Sequence, residues 1–273
     1  MLDPWRAQLR LSFARDGERS VLCERVHEGP LRVQRPFYPE GQRVCHVYVL
    51  HPPGGVVGGD RLSIEVHAKP LAHPLLTTPA AGKLYRSQGQ LASQLQTLQA
   101  GRGACLEWLP QETIAFDGAR AELTTRVELA DDARYIGWDL LCLGRPAAGE
   151  RFSRGYVAQS LELVRAGRLL YVERGVYDGG AAVLSAPWGL AGWPVVGTFV
   201  CVAPNAAAWI EAARAVALPQ QGLAAVSGWD DLLIARYLGP SAERGREYFA
   251  GLWWVLRPAL LGQPACPPRI WRT

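Results

Sequence analysis

The stretch Leu123-Thr124-Thr125-Arg126-Val127-Glu128-Leu129 alternates strictly, with Leu123, Thr125, Val127 and Leu129 in one phase and Thr124, Arg126 and Glu128 in the other. Successive side chains of a strand point to opposite faces, so the pattern predicts a half-buried β-strand with the first set inward. The same period recurs on either side of it. It runs through Val44 to Leu50, through Leu62, Ile64 and Val66, through Val157, Gln159, Leu161 and Leu163, and through Leu169 to Tyr177. Turn signals separate these runs, among them Pro52-Pro53-Gly54-Gly55, Asp117-Gly118 and Asp178-Gly179-Gly180. Strands at this spacing, with no helix between them, predict a mainly β fold of large antiparallel or coiled, β-helix-like form. They argue against a nucleotide-binding α/β sheet.

The β-rich part is expected over about residues 10–203, and a small helical part over about residues 205–261. Asn205 is placed to cap a helix from Ala206 to about Val216, a second helical stretch is expected over Trp229 to Tyr237, and a third from Ser241 to near Pro258. In the last, Phe249, Leu252, Trp253 and Leu256 form one apolar stripe, while Trp254 points away from it. No repeat, low-complexity tract or polar linker divides the chain, so residues 1–273 are read as one domain.

Composition narrows the function classes. The 29 basic and 25 acidic residues give a net charge of +4, and the arginines are scattered from Arg6 to Arg272 without a dense block, so nucleic acid is not implied as a partner. The N-terminus, with Asp3 and Pro4, lacks the apolar run of an export signal, and a cytoplasmic location is expected. The most apolar region, Trp188 to Pro204, is broken by Gly189, Gly192, Pro194 and Gly197; it reads as two buried strands around a turn, with no membrane span. Six dispersed cysteines without a C-x-x-C pair read as buried thiols.

Catalytic motifs were tested against what their chemistry needs. Ala80-Ala81-Gly82-Lys83 fails as a phosphate loop, since Thr77 stands where glycine is required and Leu84 where a magnesium-binding hydroxyl is. The Gly54-Gly55-Val56-Val57-Gly58-Gly59 run lacks dinucleotide spacing. His27, His46, His51, His67 and His73 include no pair at metal-ligand spacing, and no G-x-S-x-G elbow is present. What remains is carboxylates, with Glu107 and Glu112 bracketing Trp108-Leu109-Pro110-Gln111. A carboxylate- or metal-dependent hydrolase on a β scaffold is therefore the alternative reading, and ten tryptophans weakly suggest a binding module.

The strings His51-Pro52-Pro53-Gly54-Gly55-Val56-Val57-Gly58-Gly59-Asp60, Leu76-Thr77-Thr78-Pro79-Ala80-Ala81-Gly82-Lys83 and Leu106-Glu107-Trp108-Leu109-Pro110-Gln111-Glu112 resemble the UreD family of urease accessory proteins, called UreH in some organisms. Gly137-Trp138-Asp139, Leu143-Gly144-Arg145-Pro146, Ala235-Arg236-Tyr237-Leu238-Gly239 and Arg257-Pro258-Ala259-Leu260-Leu261-Gly262 extend the resemblance over most of the chain. It implies a mostly β scaffold that is not an enzyme. Such a scaffold binds apo-urease, joins the accessory protein UreF and the GTPase UreG, and passes nickel(II) through an internal passage as transient cargo, with no tightly bound cofactor. Release favours dispersed oxygen ligands over thiolate or imidazole clusters. The resemblance marks Asp60, Asp139 and Glu173 as stations of that passage. Asp60 also reads as a turn cap, Asp139 as a partner of Arg145, and Glu173 as a partner of Arg174 or Arg168. Gly54, Gly55, Gly58 and Gly59 are expected to serve backbone geometry, and Tyr248, Trp253 and Trp254 to contact UreF where the core leaves them free.

Overall fold

A computed structural model describes residues 5–272; the Asp3-Pro4 pair noted in the sequence lies outside them. In chain order the strands are β1 Arg6–Asp16, β2 Arg19–Glu28, β3 Arg32–Val33, β4 Cys45–Leu50, β5 Arg61–Ala68, β6 Pro74–Thr77, β7 Gly82–Leu84, β8 Ala92–Ala100 and β9 Cys105–Trp108. They continue as β10 Thr113–Ala115, β11 Arg120–Leu129, β12 Arg134–Arg145, β13 Glu150–Arg151, β14 Tyr156–Arg165, β15 Arg168–Asp178, β16 Val195–Val202, β17 Leu223–Trp229 and β18 Leu232–Gly239. The α-helices are α1 Ala182–Ser185, α2 Ile210–Arg214 and α3 Ala242–Leu261.

The chain passes back and forth between two sheets. One is seven-stranded, in the order β15-β14-β11-β8-β5-β1-β2; the other runs β17-β18-β16-β12-β9-β6-β4-β3. Of the two β forms expected from the alternation, the coiled one is found: β1, β5, β8, β11 and β14 pair in parallel, as successive turns of a solenoid-like coil must. Antiparallel hairpins finish the edges, and Ala166 and Gly167, both at positive φ, make the tight turn from β14 into β15. The inward phase of β11, headed by Leu123 and Val127, faces the second sheet across a core that includes Leu9, Leu11, Phe13, Ile64 and Leu163. A second core lies behind the second sheet. There Phe249, Leu252, Trp253 and Leu256 of α3 pack on Trp138, Phe199 and Leu233.

Three expectations need correction. Trp229 to Tyr237 is the β17–β18 hairpin, because Leu232 and Ile234 enter the first core while Leu233 and Ala235 enter the second; a strand buried on both faces loses the alternation that marks it. Trp188 to Pro204 yields one strand, β16, and Trp188 stands 75% exposed in the preceding loop. Asn205 precedes a short 3-10 turn and α2 but does not cap with its side chain; it sits at φ 58°, and its backbone N–H donates to Asp231. The third helix starts where expected, with Ser241 Oγ accepting from Arg244 N, and Pro258 is carried inside it to Leu261.

Candidate functional site

The two glycine-bearing motifs fold against each other. Val56 N donates to Lys83 O at 2.7 Å and Tyr85 N to Val56 O at 2.8 Å, which lays residues 54–59 on the Tyr85–Ser87 segment. A Cβ on Gly55 would strike the Tyr85 ring, and one on Gly58 the Ser87 hydroxyl, while Gly54 and Gly59 adopt φ of +80° and +93°. These positions therefore serve backbone geometry. Asp60 closes the turn. Its two carboxylate oxygens accept from Trp5 N at 2.9 Å and Val57 N at 3.0 Å, and the residue is 3% exposed. It caps this turn, the second of the two roles that the sequence offered for it.

Behind these loops lies a cavity of about 450 Å³ between the sheets. Its walls include His51, Pro52, residues 54–56 and 78–84, apolar Leu62, Ile64 and Leu123, and a polar group: Gln94, Gln96, Thr125, Gln159 and Asp139. Two buried nitrogens on this wall, Trp108 Nε1 and His51 Nε2, have no hydrogen-bond partner among the described residues. Polar atoms so placed are ordinarily met by water, so the space suits a wet interior. Burial lowers the His51 pKa, and nearby Asp60 opposes that shift.

Strand register brings Asp139 and Glu173 together. Across the second sheet Asp139 pairs with Thr198, which pairs with Arg236. Across the first, Gln96, Thr125, Leu161 and Glu173 form one row. The Thr125 hydroxyl lies 3.1 Å from Gln96 Oε1 and 3.3 Å from Asp139 Oδ2, and donates to one at a time. A second, small cavity of about 30 Å³ is lined by Asp139, Gln159, Glu173, Tyr177 and Thr198, so Asp139 and Gln159 border both spaces. Burial raises the Asp139 pKa to about 7, with Thr125 opposing and the Glu173 charge adding to the rise. Glu173 accepts from Tyr171 OH at 2.5 Å and Thr198 Oγ1 at 3.2 Å, and its ion pair is with Arg236 at 3.3 Å. Arg145, the alternative partner for Asp139, instead pairs with Glu150, and Arg174 with Glu162.

Sequence reasoning missed Gln94, Gln96 and Arg236. The signal lay in the period: Gln94 and Gln96 occupy the phase of β8 that also carries buried Leu98 and Ala100. A polar residue there either finishes a hydrogen-bond network or lines a space.

The carboxylates of the hydrolase alternative are engaged elsewhere. Glu107 is 0% exposed and holds Arg257, His73 Nε2 and Trp253 Nε1; burial pushes its pKa up, but Arg257 and His73 outweigh that and hold it down at about 2. Glu112 pairs with Arg246 at 3.1 Å. Glu107 thus lacks the raised pKa of a general acid, and Glu112 is held in its ion pair. Among the described residues no three His, Cys, Asp or Glu side chains converge as a closed metal site. Tyr248 and Trp253 are 3% and 0% exposed, so the core has taken both; Trp254 is 57% exposed and is the one of the three left free.

Comparison with known proteins gives one consistent result. The family model described as UreD urease accessory protein matches residues 6–272. The urease accessory protein UreD of Dechloromonas aromatica (strain RCB) is 53% identical, over 98% of this chain and 95% of its own. Its namesake in Azoarcus sp. (strain BH72) is 50% identical, over 98% of this chain and 94% of its own. The Pseudomonas aeruginosa protein of the same name is 46% identical, over 98% and 95% respectively.

Proposed function

The chain belongs to the UreD family of urease accessory proteins, and from that premise we propose that it is a non-catalytic scaffold of urease maturation. It binds apo-urease, UreF and the GTPase UreG in the cytoplasm and hands nickel(II) on through its interior as transient cargo. The observation that carries this reading is Asp139, the carboxylate bordering both the large cavity and the small one that leads to Glu173. Isolated carboxylates, amide oxygens and water exchange a divalent cation readily, whereas a closed thiolate or imidazole set would retain it. No helix is long and apolar enough to cross a membrane among the described residues.

The experiment is to co-express urease and its accessory proteins with the Asp139→Ala, Glu173→Ala double variant. Complex formation, urease activity and nickel per urease are measured together. Intact complexes with nickel-poor urease are expected, while each single variant keeps most of the delivery because a neighbouring oxygen or water takes over. Normal nickel content with the double variant would overturn the passage.

A further inference from the structure

The second sheet reaches one strand further than the first at the open side of the sandwich. Pairing of Ala225 with Arg236 and of Trp229 with Leu232 turns Leu223, Ala225, Ser227 and Trp229 of β17 to the same side as Arg236, toward the space between the sheets. The first sheet ends at β15 and leaves them uncovered: Leu223 is 64% exposed and Trp229 43%. Tyr171 closes the gap beneath, its ring 6.3 Å from that of Trp229.

Arg236 lies at the foot of this apolar ledge. Its Nη2 donates to Tyr171 OH at 2.5 Å and reaches Glu173 Oε2 at 3.3 Å, while its Nε reaches Glu173 Oε1 at 3.4 Å. With Tyr171 OH and Thr198 Oγ1 donating as well, both oxygens of Glu173 are occupied. In this arrangement Glu173 cannot ligate a cation, and the guanidinium repels one. The Arg236 side chain is nonetheless 53% exposed, and no backbone bond need change for it to swing outward.

We propose that Arg236 is a gate at the Glu173 end of the passage, shut on Glu173 and Tyr171 in the free chain and opened by a docking protein that lays apolar side chains on the Leu223–Trp229 ledge and presents a carboxylate to Arg236. The proposal rests on the passage reading above. The partner's chemistry follows from the surface: an apolar ledge bordering a half-exposed guanidinium is complementary to apolar residues flanking an acid. A guanidinium fork fits either carboxylate, so Arg236 trades one ion pair for another and its two positions stay close in free energy, as a gate requires. Nickel then meets an open Glu173 only while the partner is seated.

The test titrates the full chain with nickel(II) by calorimetry. Arg236→Gln should raise nickel affinity about tenfold or more, the size of a lost charge-assisted contact, and Arg236→Gln with Glu173→Gln should return it to the wild-type level. Arg236→Lys, which keeps the charge and stem but loses the fork, should fall between, and it supplies the comparison if the glutamine variant does not fold. Equal affinity in wild type, Arg236→Lys and Arg236→Gln overturns the gate. Leu223→Ser with Trp229→Ser should weaken retention of co-expressed urease and accessory proteins at unchanged thermal stability; undiminished retention overturns the docking ledge. Failure of the passage itself appears elsewhere, as normal nickel in urease matured with the Asp139 and Glu173 double variant.

Discussion

Arg257 Nε and Nη2 donate to the Glu107 carboxylate at 2.9 to 3.1 Å although 150 positions separate the two residues. The same guanidinium reaches Glu40, which also holds His46, so one arginine of α3 ties the helix to β9 and to the loop before β4. Both Arg257 and Glu107 are 0% exposed. Removing Glu107 leaves the buried guanidinium with Glu40 alone, and removing Arg257 leaves two buried carboxylates without their shared cation.

Glu107→Gln should therefore cost about 3–5 kcal/mol of stability, read as a lower denaturant midpoint. Glu112→Gln, at the partly exposed pair with Arg246, should cost about 1 kcal/mol or less. The pH dependence has a definite sign. The Glu107 pKa is depressed in the folded chain to about 2, so its contribution is full above the unfolded carboxylate's pKa and is lost as pH falls through about 2. Acid unfolding below about pH 4 should accordingly be less steep in the glutamine variant than in wild type.

Asp139 titrates in the opposite sense. Its pKa stands raised to about 7, so the folded chain holds this proton more tightly than the unfolded chain does. The resulting penalty is absent below about pH 4 and complete above about pH 7. Asp139→Asn should consequently raise the melting temperature at pH 8 and leave it nearly unchanged at pH 4. Together with Glu173→Ala it should still block nickel delivery. Gained stability in the single variant beside lost delivery in the double one separates a charge kept for cargo from one kept for folding; a melting temperature equally insensitive at both pH values would reject the buried-acid account.

Trp253 and Trp254 divide packing from recognition at adjacent positions. Trp253→Ala should cost about 3–5 kcal/mol, as large-to-small changes in a core do. Trp254→Ala should leave the melting temperature within about 1 °C, since it is exposed, while weakening pull-down of UreF. Loss of stability without loss of pull-down in the Trp254 variant would return that residue to a packing role.

Strict alternation made β5, β11 and β14 of the first sheet legible, because each buries one face against the second sheet and turns the other outward. β18 was not legible for the same physical reason: Leu232, Leu233, Ile234 and Ala235 are all buried, so nothing alternates and a helix reads equally well. The site was visible in part. The motifs pointed at Asp139 and Glu173, and register across two sheets brings them to one small cavity. Asp60 carries the same side chain as Asp139 and stands in an equally distinctive string, yet two backbone N–H groups engage it. Local sequence carries no mark that separates a carboxylate capping its own turn from one facing a space built by distant strands. Arg236 escaped notice because its partner lies 63 positions earlier, on the other sheet.

The parallel ladder bears on how the molecule is made. Ile64, Gln96, Thr125 and Leu161 are neighbours in one row, yet successive members are 32, 29 and 36 residues apart in the chain. Contacts of such separation give a high contact order, which slows folding, since each rung must wait for the next to be synthesised and returned to its place. The far wall, with Asp139 and Arg236, needs β18, and α3 must then cover its back. A nascent chain released before about residue 261 would expose the outer faces of Phe199 and Leu233, which α3 covers. The interior is thus a late product of synthesis, and a ribosome-bound intermediate is the form in which this chain is most open to aggregation.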